Sequence, residues 1–485
     1  MRVRAAVGLT MVPLLAVALQ ACGPGTVAPP ESTAPAAAEP TSTAPARPGA
    51  PGIGDEYFPG AGNGGYDVRR YDIELHYDPS SDRLTGRTTI TASVSRNLSR
   101  FNLDLALPAS AVQVDGARAE HTQTGTELVV TPDRALVSGN TMTVRVDYAG
   151  APSQTGADSP WVRTADGAVA VGEPEVAAWW FPSNDHPVDK ANVAVTVTVP
   201  RGVEALSNGK LLGGPEPAAD GQHRWRWRAE APMSPYLAFV AIGQYELVQR
   251  DTPAGPYLAG YAEGLEPEVA AAARESIEQT PQIVGFLSEL FGEYPFAQLG
   301  GVVPNAPNVG FALENQTRPV YSPAFFAAGT DVDVVVHELA HQWFGDSVGV
   351  RRWRDIWLNE GFATYTEWLY SERTGGASAQ QITDRYFDAI PADSSFWQVP
   401  PGDPGADDLL DRAVYVRGAM ALHAIRVAVG DETFLGTLRA WAQQRRGGSG
   451  TVEDFIALAE QRSGRQLDQV ADAWLYRSGR PDRIG

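Results

Sequence analysis

Four side chains between residues 337 and 360 are of types that could do chemistry together. The stretch "HELAHQWFGD" fills residues 337–346, placing His337 and His341 at i and i+4. On a helix that spacing stacks both imidazoles on one face, within reach of a single ion. Glu338 comes one residue round the helix, beside the ion rather than on it, where a carboxylate can take a proton from water. Taken alone, the pair fits equally well with two histidines that merely share a helix face. A third ligand separates the two readings, and "RDIWLNEGFATYTEW" supplies Glu360, 19 positions (360 minus 341) after His341. Two histidines and a glutamate from a neighbouring helix form the donor set of a catalytic zinc site, with one position left for water. The expected cofactor is one Zn2+ per chain, which cobalt or manganese could replace in vitro.

Local elements have to hold these residues in place. "DVDVVVHELAHQWFG" at 331–345 carries a helix start in Thr330 or Asp331 and a glycine stop in Gly345. A reversal over residues 347–354 would return the chain antiparallel and bring Glu360 back to the histidines. Further upstream the texture differs. Residues 61–250 alternate apolar and polar side chains between Gly, Pro, Asn and Asp, as in "YDIELHY", "TTITASVS", "TMTVRVDY" and "ANVAVTVTVP", which is the pattern of an all-β domain. From Pro267 onward "PEVAAAARESIEQTPQIVGFLSELFG" has helical spacing, and helix dominates to the end. The break is expected near residue 251, giving a second domain over 251–485. No internal repeat is present at solenoid or propeller periods.

A hydrophobic fraction of 43% and a charged fraction of 20% in 485 residues suit a globular chain with more than one core. A formal charge of -20 with pI near 4.8 and no basic cluster exclude a nucleic-acid partner. Residues 1–21 read as an export signal: Arg2 and Arg4 precede an apolar stretch that Pro13 interrupts and that is too short to span a bilayer. It ends in "LQAC" at 19–22, which resembles the bacterial lipobox. Cys22 is then the lipidated first residue of the mature protein and its membrane anchor, outside the cytoplasm. As the chain's only cysteine, it allows no intramolecular disulfide. Residues 22–60, rich in Ala, Pro, Ser and Thr, should form a tether.

The motifs together carry a resemblance. "HELAH" followed by "WLNEGFA" resembles the gluzincins of peptidase family M1, the alanyl aminopeptidase and leukotriene hydrolase family. "GFALENQTRPVY" at 310–321 resembles its Gly-x-Met-Glu-Asn exopeptidase motif, with Ala312, Leu313, Glu314 and Asn315 in the last four places and Phe311 in that of the first glycine. "VYVRGAMALH" at 414–423 resembles its Tyr-x-Lys-Gly segment, with Arg417 replacing the lysine. "WWFPSNDHPVDKANVAVTVTVP" at 179–200 and "APMSPYLAFVAIG" at 231–243 resemble its N-terminal domain.

The resemblance implies a multidomain α+β protein: an N-terminal all-β, saddle-like domain, then a thermolysin-like, mainly α-helical zinc peptidase domain. His337, His341 and Glu360 would hold zinc, Glu338 would be the general base, and Tyr415 would stabilise the oxyanion; Tyr365 and Tyr386 are fallbacks. Glu314 would pair with the free α-ammonium of a peptide, assisted by Glu173 of the β domain. Glu175 is a near alternative to Glu173, and Val171 stands where the family usually has a glutamine. The run 310–315, with Gly310, Phe311, Ala312 and Asn315, should serve as an edge strand for substrate backbone. Only 70 residues (485 minus 415) follow Tyr415, so a short form without the C-terminal helical domain of many relatives, and hence a more open cleft, is expected. The expected function is zinc-dependent aminopeptidase action on peptides with a free N-terminus. Endopeptidase or epoxide hydrolase action on the same site, and a non-catalytic binding lipoprotein, are the alternatives. The sequence carries no signal for oligomeric state or for the preferred first residue.

Overall fold

The structure is a computed structural model that describes residues 44–156 and 159–484. The export signal, the lipobox at Cys22 and the first part of the tether lie outside the described residues.

The four alternating stretches become four neighbours in one eight-stranded sheet. Its central order is Ala191–Pro200, Tyr66–Asp78, Arg83–Val94, Thr141–Gly150. Tyr71, Ile73, Leu75 and Tyr77 point inward while Glu74 and His76 point out, as a period of two requires when one face is buried. The pairing is antiparallel except between Tyr66–Asp78 and Ala191–Pro200, which run parallel. Two four-stranded sheets complete the β-rich half, and in one of them the fully buried Val240–Gly243 lies between Ala168–Ala170 and Glu204–Ser207.

The second half is built on a five-stranded sheet in the order Tyr245–Thr252, Gly255–Ala262, Leu299–Val303, Val320–Tyr321, Ala312–Leu313. The first two of these pair along their full length, so the break expected near residue 251 falls inside a hairpin. "YELVQRDT" is as alternating as the strands before it, and only its partner reveals which half it serves. The helical run from Pro267 forms two helices, Pro267–Ile277 and Thr280–Phe291. The chain is thus a β-rich N-terminal half followed by a mainly helical half on a small mixed sheet. Among the described residues no helix is long and apolar enough to cross a membrane.

The expected tether is too long by at least its last stretch. Arg47–Pro48 pairs with Leu98–Asp104, and Asp55 is buried. Its Oδ1 accepts from the Tyr57 and Phe58 amides, and its Oδ2 accepts from the Trp353 amide at 2.9 Å and lies 3.1 Å from His186 Nε2. Residues 53–58 therefore strap the two halves together. A single carboxylate that collects three backbone donors and an imidazole fixes a segment whose composition alone favours disorder.

Candidate metal centre and substrate cleft

The first motif helix spans Val332–His341 and starts at Asp331, whose side chain accepts from the Val334 amide. It ends four residues before Gly345. Wide turns capture its last carbonyls, with the amides of Asp346 and Ser347 donating to His341 and Gln342. The chain reverses and re-enters helix at Trp357–Arg373. The later histidine, His341, meets Glu360 early in that helix, and the earlier one, His337, reaches on to Glu367. That register is antiparallel.

Both Nε2 atoms face one oxygen. His337 Nε2 lies 3.3 Å and His341 Nε2 3.4 Å from Glu360 Oε2, and the three ligand atoms fall within 4.8 Å of one another. An ion bound tetrahedrally at ~2.0–2.1 Å from each donor needs donor separations of roughly 3.3–3.4 Å, so the donor set fits zinc in type and in spacing. The Nδ1 atoms are committed elsewhere. His341 donates to the Phe344 carbonyl at 3.0 Å and His337 to Glu367 Oε1 at 2.6 Å, which leaves the Nε2 lone pairs free for a metal. Glu367 was not foreseen. Its signal was its place seven residues after Glu360, on the same face of the helix.

The electrostatics favour a cation. Burial alone would lower both imidazole pKa values, yet Glu360 overrides it, pushing His341 up to about 9 and His337 upward too, the latter with help from Glu367. Burial would raise Glu360, but the two imidazoles hold it at about 2. Glu338 is buried with a carboxylate oxygen within 4.8 Å of a His341 ring nitrogen and a Glu314 carboxylate oxygen. Burial pushes it up to about 8 against the pull of the two histidines, close to the working range of a general base near neutrality.

Glu314 follows the short strand Ala312–Leu313, which is the edge of the five-stranded sheet. The strand is shorter than the expected run of 310–315. At Glu314 the backbone turns away, through Thr317 at φ 72°: the Gln342 side chain takes the Glu314 carbonyl and the Thr317 amide, and the Arg318 amide donates to the Asn315 carbonyl. Gly310 and Phe311 are exposed ahead of the strand, Phe311 at 42%, and Ala312 is half-buried. Asn315 is fully buried; its Nδ2 donates to the Leu237 carbonyl and so braces the two halves, while its Oδ1 has no hydrogen-bond partner among the described residues.

Glu173 and Glu314 come together with Glu360, their ligand oxygens within 4.8 Å. Burial raises the pKa of both; Glu314 and Glu360 push Glu173 up further, while His341 pulls Glu314 down against the push of Glu360. Glu173 Oε1 has no hydrogen-bond partner among the described residues. Two carboxylates this close, one of them fully buried, call for a cation between them. Glu175 instead faces Asp104 and Asp185 of the β domain.

Tyr415 lies on the helix Arg412–Val429, its ring stacked on His337 with centroids 6.0 Å apart. Tyr365 is spent elsewhere, on His423 and Arg426, and Tyr386 stacks on Trp368. The helix of Tyr415 reaches the centre because Gly361 and Gly418 meet at its crossing with Trp357–Arg373. A Cβ on either would lie 2.5 Å from the Trp357 ring. Arg417 is wholly buried and donates to five carbonyls, those of Trp397, Val399, Ala473, Trp474 and Arg477. Its place in the motif is structural.

Comparison with known proteins agrees with this site. Residues 68–237 match the peptidase M1 N-terminal domain and residues 276–474 the peptidase family M1 domain. Human glutamyl aminopeptidase is 27% identical over 330 residues, 64% of this chain and 34% of that protein. Aminopeptidase M1 of Arabidopsis thaliana is 26% identical over 65% of this chain and 37% of its own length. The chain thus spans about a third of the length of these curated relatives. The crystal structure of the M1 zinc metallopeptidase from Deinococcus radiodurans superposes with a TM-score of 0.80 at 30% identity, covering 90% of this chain and 99% of that one. A mutant of that enzyme bound to a Tyr-Ser-Ala substrate matches with a TM-score of 0.78 at 29% identity over the same shares. With both domain types matched in order and a solved relative covered almost end to end, the chain belongs to peptidase family M1, the zinc metallopeptidases.

Proposed function

We propose that this protein is a zinc aminopeptidase that removes N-terminal residues from peptides. The observation that carries the reading is the pair Glu173 and Glu314, a half-buried and a fully buried carboxylate within 4.8 Å of each other and of the metal ligand Glu360. A free α-ammonium would neutralise them, and pairing there fixes the first residue of a peptide beside the metal. Aminopeptidase activity in the names of the curated relatives, and the Tyr-Ser-Ala substrate of the solved one, support a short peptide as substrate class.

His337, His341 and Glu360 would hold the zinc, which would supply Lewis acidity toward a water and the scissile carbonyl. The chain's own groups do the rest. Glu338 takes the proton of the attacking water at its carboxylate and passes it to the departing amine. Tyr415, phenolic because burial pushes its pKa well up, donates a hydrogen bond to the developing oxyanion. The edge strand Ala312–Leu313 offers backbone groups to an extended substrate.

Export and lipid anchoring through Cys22 belong to the same proposal and rest on the sequence at 19–22. Mass spectrometry of the mature N-terminal peptide tests them, an unacylated Cys22 being the contrary result. The activity is tested by offering free and N-acetylated peptides to the zinc-loaded protein. Cleavage of the free forms alone supports the reading, and equal cleavage of both removes it.

A further inference from the structure

The carboxylate of Glu314 can select the first peptide bond only if its distance from the metal is fixed. Two side chains hold it, one by its backbone and one by its carboxylate.

Gln342 follows the ligand His341 directly and is fully buried. Its Nε2 donates to the Glu314 carbonyl at 2.9 Å, and its Oε1 accepts from the Thr317 amide at 2.8 Å and from the Tyr294 hydroxyl at 3.2 Å. The turn that carries Glu314 is thereby tied to the metal helix one residue beyond a ligand. The primary amide offers a donor to the carbonyl and an acceptor to the amide at once. Thr317 is held at φ 72°, which a β-branched residue rarely adopts, and this conformation belongs to the turn whose amide Gln342 accepts.

Tyr236 comes from the β domain and is buried. Its hydroxyl donates to Glu314 Oε1 at 2.9 Å. The ring packs edge-on against Trp353, with centroids 5.5 Å apart, and the Trp353 amide is held by Asp55. Thus the Glu314 main chain is anchored on the catalytic half and its carboxylate on the other.

We propose that Gln342 and Tyr236 are positioning residues that set the cleavage register, holding the amine-binding carboxylate at the distance from the metal helix that admits the first peptide bond and not the second. The inference rests on the aminopeptidase reading of Glu314. Consecutive residues of an extended chain advance by ~3.3–3.6 Å, so a Glu314 carboxylate free to change rotamer can move by about one register.

The test uses the zinc-loaded protein with Tyr236→Phe and Gln342→Met, each checked for zinc content and thermal unfolding, with Glu314→Ala beside them. Free tetrapeptides are digested and the bond cut first is read by mass spectrometry, with KM and kcat measured separately. Losing one hydrogen bond to a charged group should raise KM by about ten-fold. In both variants kcat should fall less than KM rises, and dipeptides should appear among the first products. First-bond cleavage alone, with unchanged KM in Tyr236→Phe and in any folded Gln342→Met, overturns the inference. Tyr236→Phe removes only a hydroxyl and carries the test if Gln342→Met does not fold. If Glu314→Ala also leaves KM and register unchanged, the aminopeptidase reading itself fails. If it alone changes them, the reading stands and only the positioning role falls.

Discussion

His337 donates its Nδ1 proton to Glu367 Oε1 at 2.6 Å, while its Nε2 faces Glu360. One helix therefore supplies both the metal-binding carboxylate and the group that orients a metal-binding histidine. Such a partner fixes the tautomer and raises the basicity of the ligand.

Replacing Glu367 with Ala should lower zinc affinity about 10–100-fold. Competition with a chelator of known affinity measures it. Zinc retention equal to wild type would remove Glu367 from the metal site.

Glu338→Gln should keep zinc at one per chain by elemental analysis while kcat falls by roughly 10²-fold or more. The amide preserves shape and removes the base. Full turnover in this variant would assign proton transfer to another group.

Tyr415→Phe should reduce kcat by roughly 10²-fold with little change in KM, as expected for a donor that acts on transition-state charge. A matching rise in KM would mean that Tyr415 binds substrate instead.

The metal centre was legible because its signal is local. His337, Glu338 and His341 lie within one helical turn, and Glu360 needs only one reversal of the chain. The alternation in "YDIELHY" or "ANVAVTVTVP" marked strands for the same reason. The parts that escaped are contacts between distant segments. Tyr236 meets Glu314 across 78 residues and Asp55 meets Trp353 across 298, and neither periodicity nor turn chemistry encodes such a pairing. The short strand at Ala312–Leu313 shows the same limit. Its extended sequence continues through Asn315, but Gln342 takes the backbone bond that a longer ladder would have used. Glu173 could be named beside Glu175 from sequence, and only the packing separates the two.

Asp55 should give the strap a measurable pH signature. Burial would raise its pKa, but His186 and the amides of Trp353, Phe58 and Tyr57 outweigh it and lower the group from 3.8 to about 2. A depressed carboxylate stabilises the fold above its unfolded pKa and loses that contribution as pH falls through the folded one. The contribution should be on the order of 2 kcal/mol at pH 5 to 7, about halved near pH 3, and lost toward pH 2. Urea unfolding of wild type and Asp55→Ala at pH 7 and pH 3 measures the difference, which should shrink at the lower pH. A gap that does not change with pH would mean that packing, and not the ionised carboxylate, holds the strap.

The most direct test of the central claim is mass spectrometry of matched peptides, each with a free and an acetylated N-terminus, incubated with zinc-loaded protein and with a chelated control. Stepwise loss of N-terminal residues from the free peptides only, abolished by chelation, is the predicted result. Internal cuts in both forms, or cleavage that survives chelation, would contradict it.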